Sequence, residues 1–407
     1  MNLSYFISKR ISREQKQGFA SSIHTIAIII VGVGLAAVIV SFLIMRGFQE
    51  TVKNKIYSFN GHLTVTKYTM NYSREEQPMN YYVDLYKNPQ QYPFIKHAQE
   101  YAHKPGLVKT GDDEVLGIIV KGVGRSYDVN AFQENMVEGK FVDFPDSSYS
   151  NQVVISRIIS NKLQAKVGDE ITVHFFQNPP RVRKLAISGI YETNLAEYFD
   201  SNVILGDLRM IQRLNDWSDS LAGGLEIFLK NPSDIEEAGY AIGETMDFDL
   251  NIESVNDKYI QVFEWLNLLS RQVNILLGII LVVVSVNIVS IVLILVMERT
   301  QMIGLLKALG GGNKFIRSIF IYNGINLITK GLLLGNIVGL GLCYLQYRFR
   351  LVKLNPHDYY MSFVPISWEW QIVGVLNIFT FLIVSFVLLL PTMVIARINP
   401  IKAIRFD

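Results

Sequence analysis

Two imidazoles one helical turn apart would bind zinc, but the six histidines at 24, 62, 97, 103, 174 and 357 are scattered. His97 and His103, the nearest pair, do not have that spacing, so each reads as a satisfied or exposed side chain. The run Asp112-Asp113-Glu114 could attract a hard cation, yet it follows Gly111 and precedes an apolar stretch, which favours a solvated turn. No Gly-x-Ser-x-Gly elbow offers a nucleophile, and no Gly-x-x-x-x-Gly-Lys-Ser/Thr loop can cradle ATP phosphates. The chain is therefore expected to be a non-catalytic subunit that binds no metal and no cofactor of its own. Any nucleotide energy must come from a partner.

The element that would receive such energy is the stretch Met297-Glu298-Arg299-Thr300-Gln301-Met302-Ile303-Gly304-Leu305-Leu306-Lys307-Ala308-Leu309-Gly310-Gly311, charged, helix-prone and ended by glycines. It sits between two long apolar runs, on a membrane surface where a soluble partner can push on it.

Four such runs set the frame. Ser21 to Met45 and Val273 to Met297 contain no charge, Ile319 to Tyr347 is interrupted only by Lys330, and Gln371 to Ala396 is uncharged but carries Pro391 near its end. At about 1.5 Å per residue a helix of the first run spans roughly 35 Å, enough to cross the hydrocarbon core. The first run is too long for a signal-peptide core and reads as a retained anchor. Lys9, Arg10, Arg13 and Lys16 before the first helix, Arg299, Lys307, Lys314 and Arg317 after the second, and Arg397, Lys402 and Arg405 in the tail place these flanks in the cytoplasm. The expected order is a cytoplasmic arm (1–20), first spanning helix and stalk (21–59), periplasmic domain (60–254), stalk and second helix (255–297), and coupling segment (298–318). A third helix (319–347), short periplasmic loop (348–370), fourth helix (371–396) and cytoplasmic tail (397–407) follow. A net charge of +2 over 407 residues, half of them hydrophobic, gives no case for nucleic acid. The fold class is an α-helical membrane protein with a mixed α+β periplasmic domain inserted between helices one and two.

Within that domain His62 to Lys67 alternates like a half-buried strand, Gly117 to Gly122 is a short apolar strand, and Asn151 to Ile155 leads into a helix from Ser156 to Leu163. Glu170 to Phe176 and Val182 to Tyr191 pair as a hairpin across Asn178-Pro179-Pro180, and Ser201 to Leu205 and Leu225 to Leu229 add strands. The tyrosine-rich stretch Tyr68 to Tyr92 has no period and reads as a solvated insertion, with a ligand-contacting flap as the sharper alternative. The only cysteine, Cys343, lies in the third apolar run, so the domain rests on its own core.

Two stripes join domain to membrane. Phe48, Val52, Ile56 and Phe59 prolong the first helix, and Val255, Tyr259, Val262, Leu266, Leu269 and Val273 run unbroken into the second. They read as rigid stalks, or as amphipathic helices resting at the interface with Trp265 as anchor. Gly331, Gly335 and Gly339 share one helix face and suit close helix packing; Gly32 and Ala36 repeat the device. Lys330 must snorkel, pair or face a cavity.

These residues together resemble the MacB/FtsX-type ABC permeases, and among them the lipoprotein-releasing (Lol) subunits. The likeness rests on Phe19 to Ile56 with Met45-Arg46-Gly47-Phe48-Gln49, on Glu298-Arg299 through Ile303-Gly304-Leu305-Leu306-Lys307-Ala308-Leu309-Gly310, and on Asn399-Pro400-Ile401-Lys402-Ala403-Ile404-Arg405-Phe406. The resemblance implies a bacterial inner-membrane subunit, paired with a second permease as homo- or heterodimer and driven by a cytoplasmic ATPase that carries ATP and Mg. It further implies lipoprotein cargo drawn from lipid and passed towards a periplasmic carrier. Glu298, Arg299, Met302, Ile303, Gly304, Leu305, Lys307, Ala308 and Gly310 would form the ATPase-coupling surface, with Met302 standing where the family usually has Glu. From periodicity alone, Phe48, Val52, Phe263 and Leu266 are candidates for a substrate entrance. The connection around Gln177 to Arg181 is short where carrier-docking relatives have a long hook. A mechanotransmitter acting on a periplasmic hydrolase or export partner, and a membrane-anchored ligand receptor, are the alternatives.

Overall fold

The computed structural model describes residues 3–14, 19–69, 76–109, 115–146, 148–393 and 395. The tail signature at 399–406 and the acidic run at 112–114 lie outside them. The chain divides into two compact units, one of Met1–Glu50, Trp265–Lys353 and Phe363–Asp407, the other of Thr51–Glu264 and Leu354–Ser362.

The first unit is helical: α1 (Leu3–Glu14), α2 (Phe19–Asn60), α3 (Ile260–Glu298), α4 (Thr300–Ala308), α5 (Asn313–Phe349) and α6 (Trp370–Val387). The segments Ser22–Asn60, Ile260–Glu298, Asn313–Phe349 and Trp370–Thr392 are long and apolar enough to cross a membrane. Both α2 and α3 contribute residues to the second unit as well. The helices stop where local chemistry stops them. Gly61, at φ +70°, donates its N–H to the carbonyl of Tyr57 and ends α2, and Gly310 at φ +87° ends α4 in the same left-handed cap.

In lipid, apolar burial does not drive helices together, so close contact and satisfied polar groups must. Gly331, Gly335 and Gly339 on α5 are buried against α2. A Cβ on Gly335 would lie 2.8 Å from the carbonyl oxygen of Gly32, one on Gly331 2.6 Å from Val31, and one on Gly339 3.1 Å from Ala36. The two small-residue stripes seen in the sequence are thus opposite faces of one contact. Farther along α5, Asn336 and Asn377 of α6 exchange amide hydrogen bonds at 2.7 and 3.0 Å, each also held by the carbonyl one turn before it. Lys330 is exposed on α5 rather than enclosed in the bundle. The amino-terminal arm, expected only to carry charge, contains α1, whose Ser4 and Ser8 are buried and whose Tyr5 ring meets Tyr322 of α5 at 5.8 Å.

The second unit is built on one ten-stranded sheet. Its strands are β1 (Leu63–Lys67), β2 (Ile95–Lys109), β3 (Val115–Val123), β4 (Met136–Gly139), β5 (Gln152–Ser156), β6 (Glu170–Phe175), β7 (Arg181–Tyr191), β8 (Val203–Asp207), β9 (Gly224–Leu229) and β10 (Leu250–Ser254). The order is β10-β1-β9-β2-β3-β8-β5-β7-β4, with β6 pairing both β2 and β7. The β3–β8 and β5–β7 pairs are parallel and the others antiparallel. The expected hairpin is the β6–β7 pair, and its tip is tied back: Gln177 donates to the carbonyl of Leu214, and Arg181 pairs with Asp216 at 2.8 Å. The long β2 holds Pro105 between two neighbours, β9 pairing it up to Tyr101 and β6 from Gly106, so the missing N–H interrupts neither ladder.

The stretch expected to be a solvated loop is partly packed. Met79–Asn80 pairs with Leu221–Ala222, and Met79, Tyr81 and Leu85 are buried; residues 70–75 are outside the described ones. Apolar side chains at alternate positions there were too few to form a visible period. The second stalk is broken rather than continuous, a single turn Val255–Lys258 being separated from α3 at Tyr259, whose φ of −113° leaves the helix. From Asn231 to Asp257 the chain carries eight acidic residues and no lysine or arginine, and the edge strand β10 lies inside this run.

Substituting Gly335 with Ala is expected to destabilise the helical unit by about 1–3 kcal/mol, because the backbone of Gly32 cannot yield. Gly374→Ala, where nothing lies within 4 Å, should leave the thermal melting temperature in detergent unchanged or raised. Equal melting of the two variants would refute the close contact.

Candidate functional site

The segment after α3 presents one face outward. Arg299 leaves helical geometry at φ −99°, ψ 18°, and α4 starts beyond it. Ile303 and Gly304 are buried, and Met302 and Leu306 pack against the core formed by α2, α3 and α5. Lys307 Nζ donates to the carbonyl of Ile395 at 2.9 Å, which anchors the far end of the turn. The exposed residues of the segment are Met297, Glu298, Gln301, Leu305 at 55% exposure, Ala308, Leu309 at 77% and Gly310. Met302, the atypical residue, therefore faces the bundle. The outward apolar character comes from Met297, Leu305 and Leu309 instead.

The two stalks meet along a polar and aromatic seam. In the first unit Phe48 packs edge-on to Trp265 at 5.4 Å, and the Gln49 amide donates to Ser270 Oγ and to the carbonyl of Leu266. In the second unit Tyr57 stacks near Phe263 at 5.9 Å and its hydroxyl donates to Asn256 Oδ1 at 2.8 Å. Phe48, Val52, Phe263 and Leu266, the candidate entrance, are all buried within a single chain. Phe48 and Leu266 belong to the first unit and Val52 and Phe263 to the second, and periodicity identified the apolar face on which each lies.

At its carboxyl end α2 finishes inside the second unit. The last turn of any helix leaves carbonyls without intrahelical partners. Lys121 of β3, wholly buried, donates through Nζ to the carbonyl of Phe59 and to Glu226 Oε1 at 2.5 Å. The ammonium also lies 4.9 Å from the Phe59 ring and 5.6 Å from that of Tyr101. Glu226 is satisfied in turn by the Gln99 amide at 2.8 Å, whose oxygen accepts the Asp128 N–H. Burial pulls the Lys121 ammonium below its ordinary value and the Glu226 carboxylate opposes that pull. One turn earlier, Lys55 donates to the carbonyls of Thr193 and Tyr360 at 2.6 and 2.9 Å, joining the stalk to a turn ordered by Asp200 and to the loop between α5 and α6.

Each histidine of the sequence pair has a hydrogen-bond partner in the sheet domain. His97 Nε2 meets the carbonyl of Ser126 at 2.6 Å, while His103 pairs with Glu76 at 2.5 Å. Burial alone would raise the Glu76 carboxyl, but the His103 ring and backbone N–H outweigh it and hold it below the usual range. Among the described residues no cluster of three His, Cys, Asp or Glu could hold a metal ion.

Comparison with known proteins completes the picture. Residues 25–244 match the MacB-like periplasmic core domain, and residues 274–400 match the FtsX-like permease C-terminal region. The chain is 23% identical to the lipoprotein-releasing system transmembrane protein LolE of Haemophilus influenzae, over 91% of each chain. It is 22% identical to LolC of Neisseria meningitidis serogroup B over the whole of both chains. It is 24% identical to LolC of H. influenzae over 100% of this chain and 99% of the relative. Both relatives also carry the name lipoprotein-releasing system transmembrane protein.

Lys121→Met strands a buried carboxylate and is expected to cost about 3–5 kcal/mol, most of it recovered when Glu226→Leu is added. Unfolding of the sheet unit, followed by tyrosine and tryptophan fluorescence, measures both; a single variant as stable as the parent would discard the buried pair. A pH effect should come from His62. Burial, then Lys96, lowers its imidazole from 6.5 to about 4, and Nδ1 accepts the Leu229 N–H. The unfolded chain takes up this proton first, so stability is intact above pH 6.5 and falls as pH drops towards 4, by up to about 3 kcal/mol. His62→Gln should flatten that part of the acid profile, and an unchanged slope would assign it elsewhere.

Proposed function

Because the chain belongs to the family that carries a MacB-like periplasmic core domain, here followed by an FtsX-like permease region, we propose that it is the membrane subunit of an ABC transporter that releases lipoproteins. Similarity along the full chain to proteins named for lipoprotein release is the observation that carries this reading. In it the protein sits in the bacterial inner membrane, multi-pass, with both termini cytoplasmic and the sheet domain periplasmic. It pairs with a second permease, identical or not, and each copy receives an ATPase subunit.

The energetics agree with such a task. Moving acyl chains from lipid into water costs about 0.8 kcal/mol per CH₂, hence tens of kcal/mol for a lipoprotein with two or three chains. Release must be driven and the chains must stay covered. We assign the drive to the outward face of the coupling segment: Leu305, with Glu298, Arg299, Lys307, Ala308 and Gly310 around it, docks in the ATPase, while Met302, Ile303 and Gly304 seat the segment on the bundle. Closure of the ATPase pair then moves α4 with α3 and α5 as a rigid body. The cover is the stalk seam, where parting of Phe48, Val52, Phe263 and Leu266 would bare an apolar face to cargo and rejoining would expel it. The short β6–β7 tip, folded back on Asp216, favours handing cargo to a carrier held by another subunit.

Leu305→Asp should abolish copurification of the ATPase while leaving membrane insertion intact, and unimpaired pull-down would show that this face is not the contact. Depletion of the protein should strand lipoproteins in the inner membrane; normal sorting with intact ATPase binding would favour mechanotransmission to another periplasmic partner.

A further inference from the structure

Helix α5 runs out in Tyr347-Arg348-Phe349-Arg350-Leu351-Val352-Lys353, where basic residues are interleaved with apolar ones and every side chain is exposed. Among the described residues none of the three cations has an ion pair or a side-chain hydrogen bond. Glu369, the carboxylate at the start of α6, is taken by Arg46 at 3.8 Å.

The turn that carries these cations is nevertheless built. Buried Gln346 donates to the carbonyls of Val352 and Val364 at 3.1 and 3.0 Å and accepts the Val352 N–H at 2.9 Å. Arg350 caps α5 at φ +49°, and its guanidinium lies 4.2 Å from the centre of the Phe363 ring. Lys353 stands opposite Phe363 in a β-bridge, so the positions of two cations converge on one residue. Beside them Tyr347, Trp368 and Trp370 form a chain of rings spaced 6.1 and 5.8 Å apart.

This company selects a ligand. The helix dipole accounts for Arg348, in the last turn of α5, but not for Arg350 and Lys353 beyond it. In the reading above the loop is periplasmic, where short loops carry few Lys or Arg. Phe349, Leu351, Val352 and Trp370 are exposed where the apolar spans end, the depth at which headgroups meet acyl chains. A free anion would satisfy the cations and leave these side chains in water. A zwitterionic lipid would cover them but bring its own ammonium towards the cations. A lipid with net negative charge does both jobs.

We propose that the α5–α6 turn binds an anionic glycerophospholipid, its phosphate held by Arg350 and Lys353 with Arg348 adding charge, and its glycerol end against the apolar side chains of the same turn. The assignment goes beyond the transport reading and needs only that α5 and α6 span the membrane, whatever the cargo.

The test offers the detergent-purified full-length chain equal amounts of phosphatidylglycerol and phosphatidylcholine and counts bound lipids by native mass spectrometry. Phosphatidylglycerol is expected to exceed phosphatidylcholine about tenfold. Arg348→Gln, Arg350→Gln and Lys353→Gln together should bring the two to near parity at an unchanged melting temperature. Lys314→Gln with Arg317→Gln, at the other end of α5, should keep the preference. Parity in the parent, an undiminished preference in the triple variant, or its loss in the Lys314 and Arg317 variant instead would each overturn the assignment. Excess inorganic phosphate or hexaglutamate should leave the lipid in place. Displacement by either would replace the lipid with a free anion or an acidic peptide as the ligand of this turn.

Discussion

A helix that ends inside a protein must find partners for its last carbonyls, and for α2 that partner is an ammonium ion. Lys121 could not be buried without Glu226, Glu226 would be left half-satisfied without Gln99, and Gln99 fixes the Asp128 N–H at the start of the next turn. A single requirement at the tip of one helix thus dictates polar residues on three adjacent strands. The arrangement is stiff because every member is held on two sides, and removing any one leaves a charge or dipole in a low-dielectric interior. The aromatic rings of Phe59, Phe199 and Tyr191 exclude water from it. The attachment of helix to sheet is thereby fixed at one point.

The helical unit solves the opposite problem. Its surroundings are apolar, so leucine-rich faces gain nothing by meeting, and specificity comes from shape and a few dipoles. Gly331 and Gly335 let α5 lie against the backbone of α2, and the Asn336–Asn377 exchange fixes α5 to α6 in one register. The coupling turn inherits this rigidity through Ile303 and Lys307.

Much of this was legible in the chain. Largely uncharged runs gave the four long helices, alternation gave β1, short apolar stretches gave β3 and β5, the turn at Asn178-Pro179-Pro180 gave the β6–β7 hairpin, and the glycine spacing gave a close helix contact. Strand β2 was not legible because its buried positions include Gln99, Glu100 and Lys104 and its middle carries Pro105-Gly106. Hydropathy reads buried polar residues as surface; the Lys121–Glu226–Gln99 chain, made across strands far apart in sequence, explains why Gln99 is inside, and the Ser126 hydroxyl donates to Glu100. The stalk stripes were visible as periodicity, yet periodicity is silent on whether an apolar face meets its own chain or a cargo.

The acidic run around β10 has a consequence of another kind. An edge strand offers unpaired N–H and C=O groups to any neighbour with a strand to spare. Here the exposed side chains of β10 include Glu253, and those just before it Asp247. At the opposite edge β4 turns Glu138 outward, paired with Arg157. Two copies approaching through their β10 edges would bring carboxylates face to face. The same charges that look idle in the finished molecule act as a deterrent to aggregation while the sheet is still being assembled.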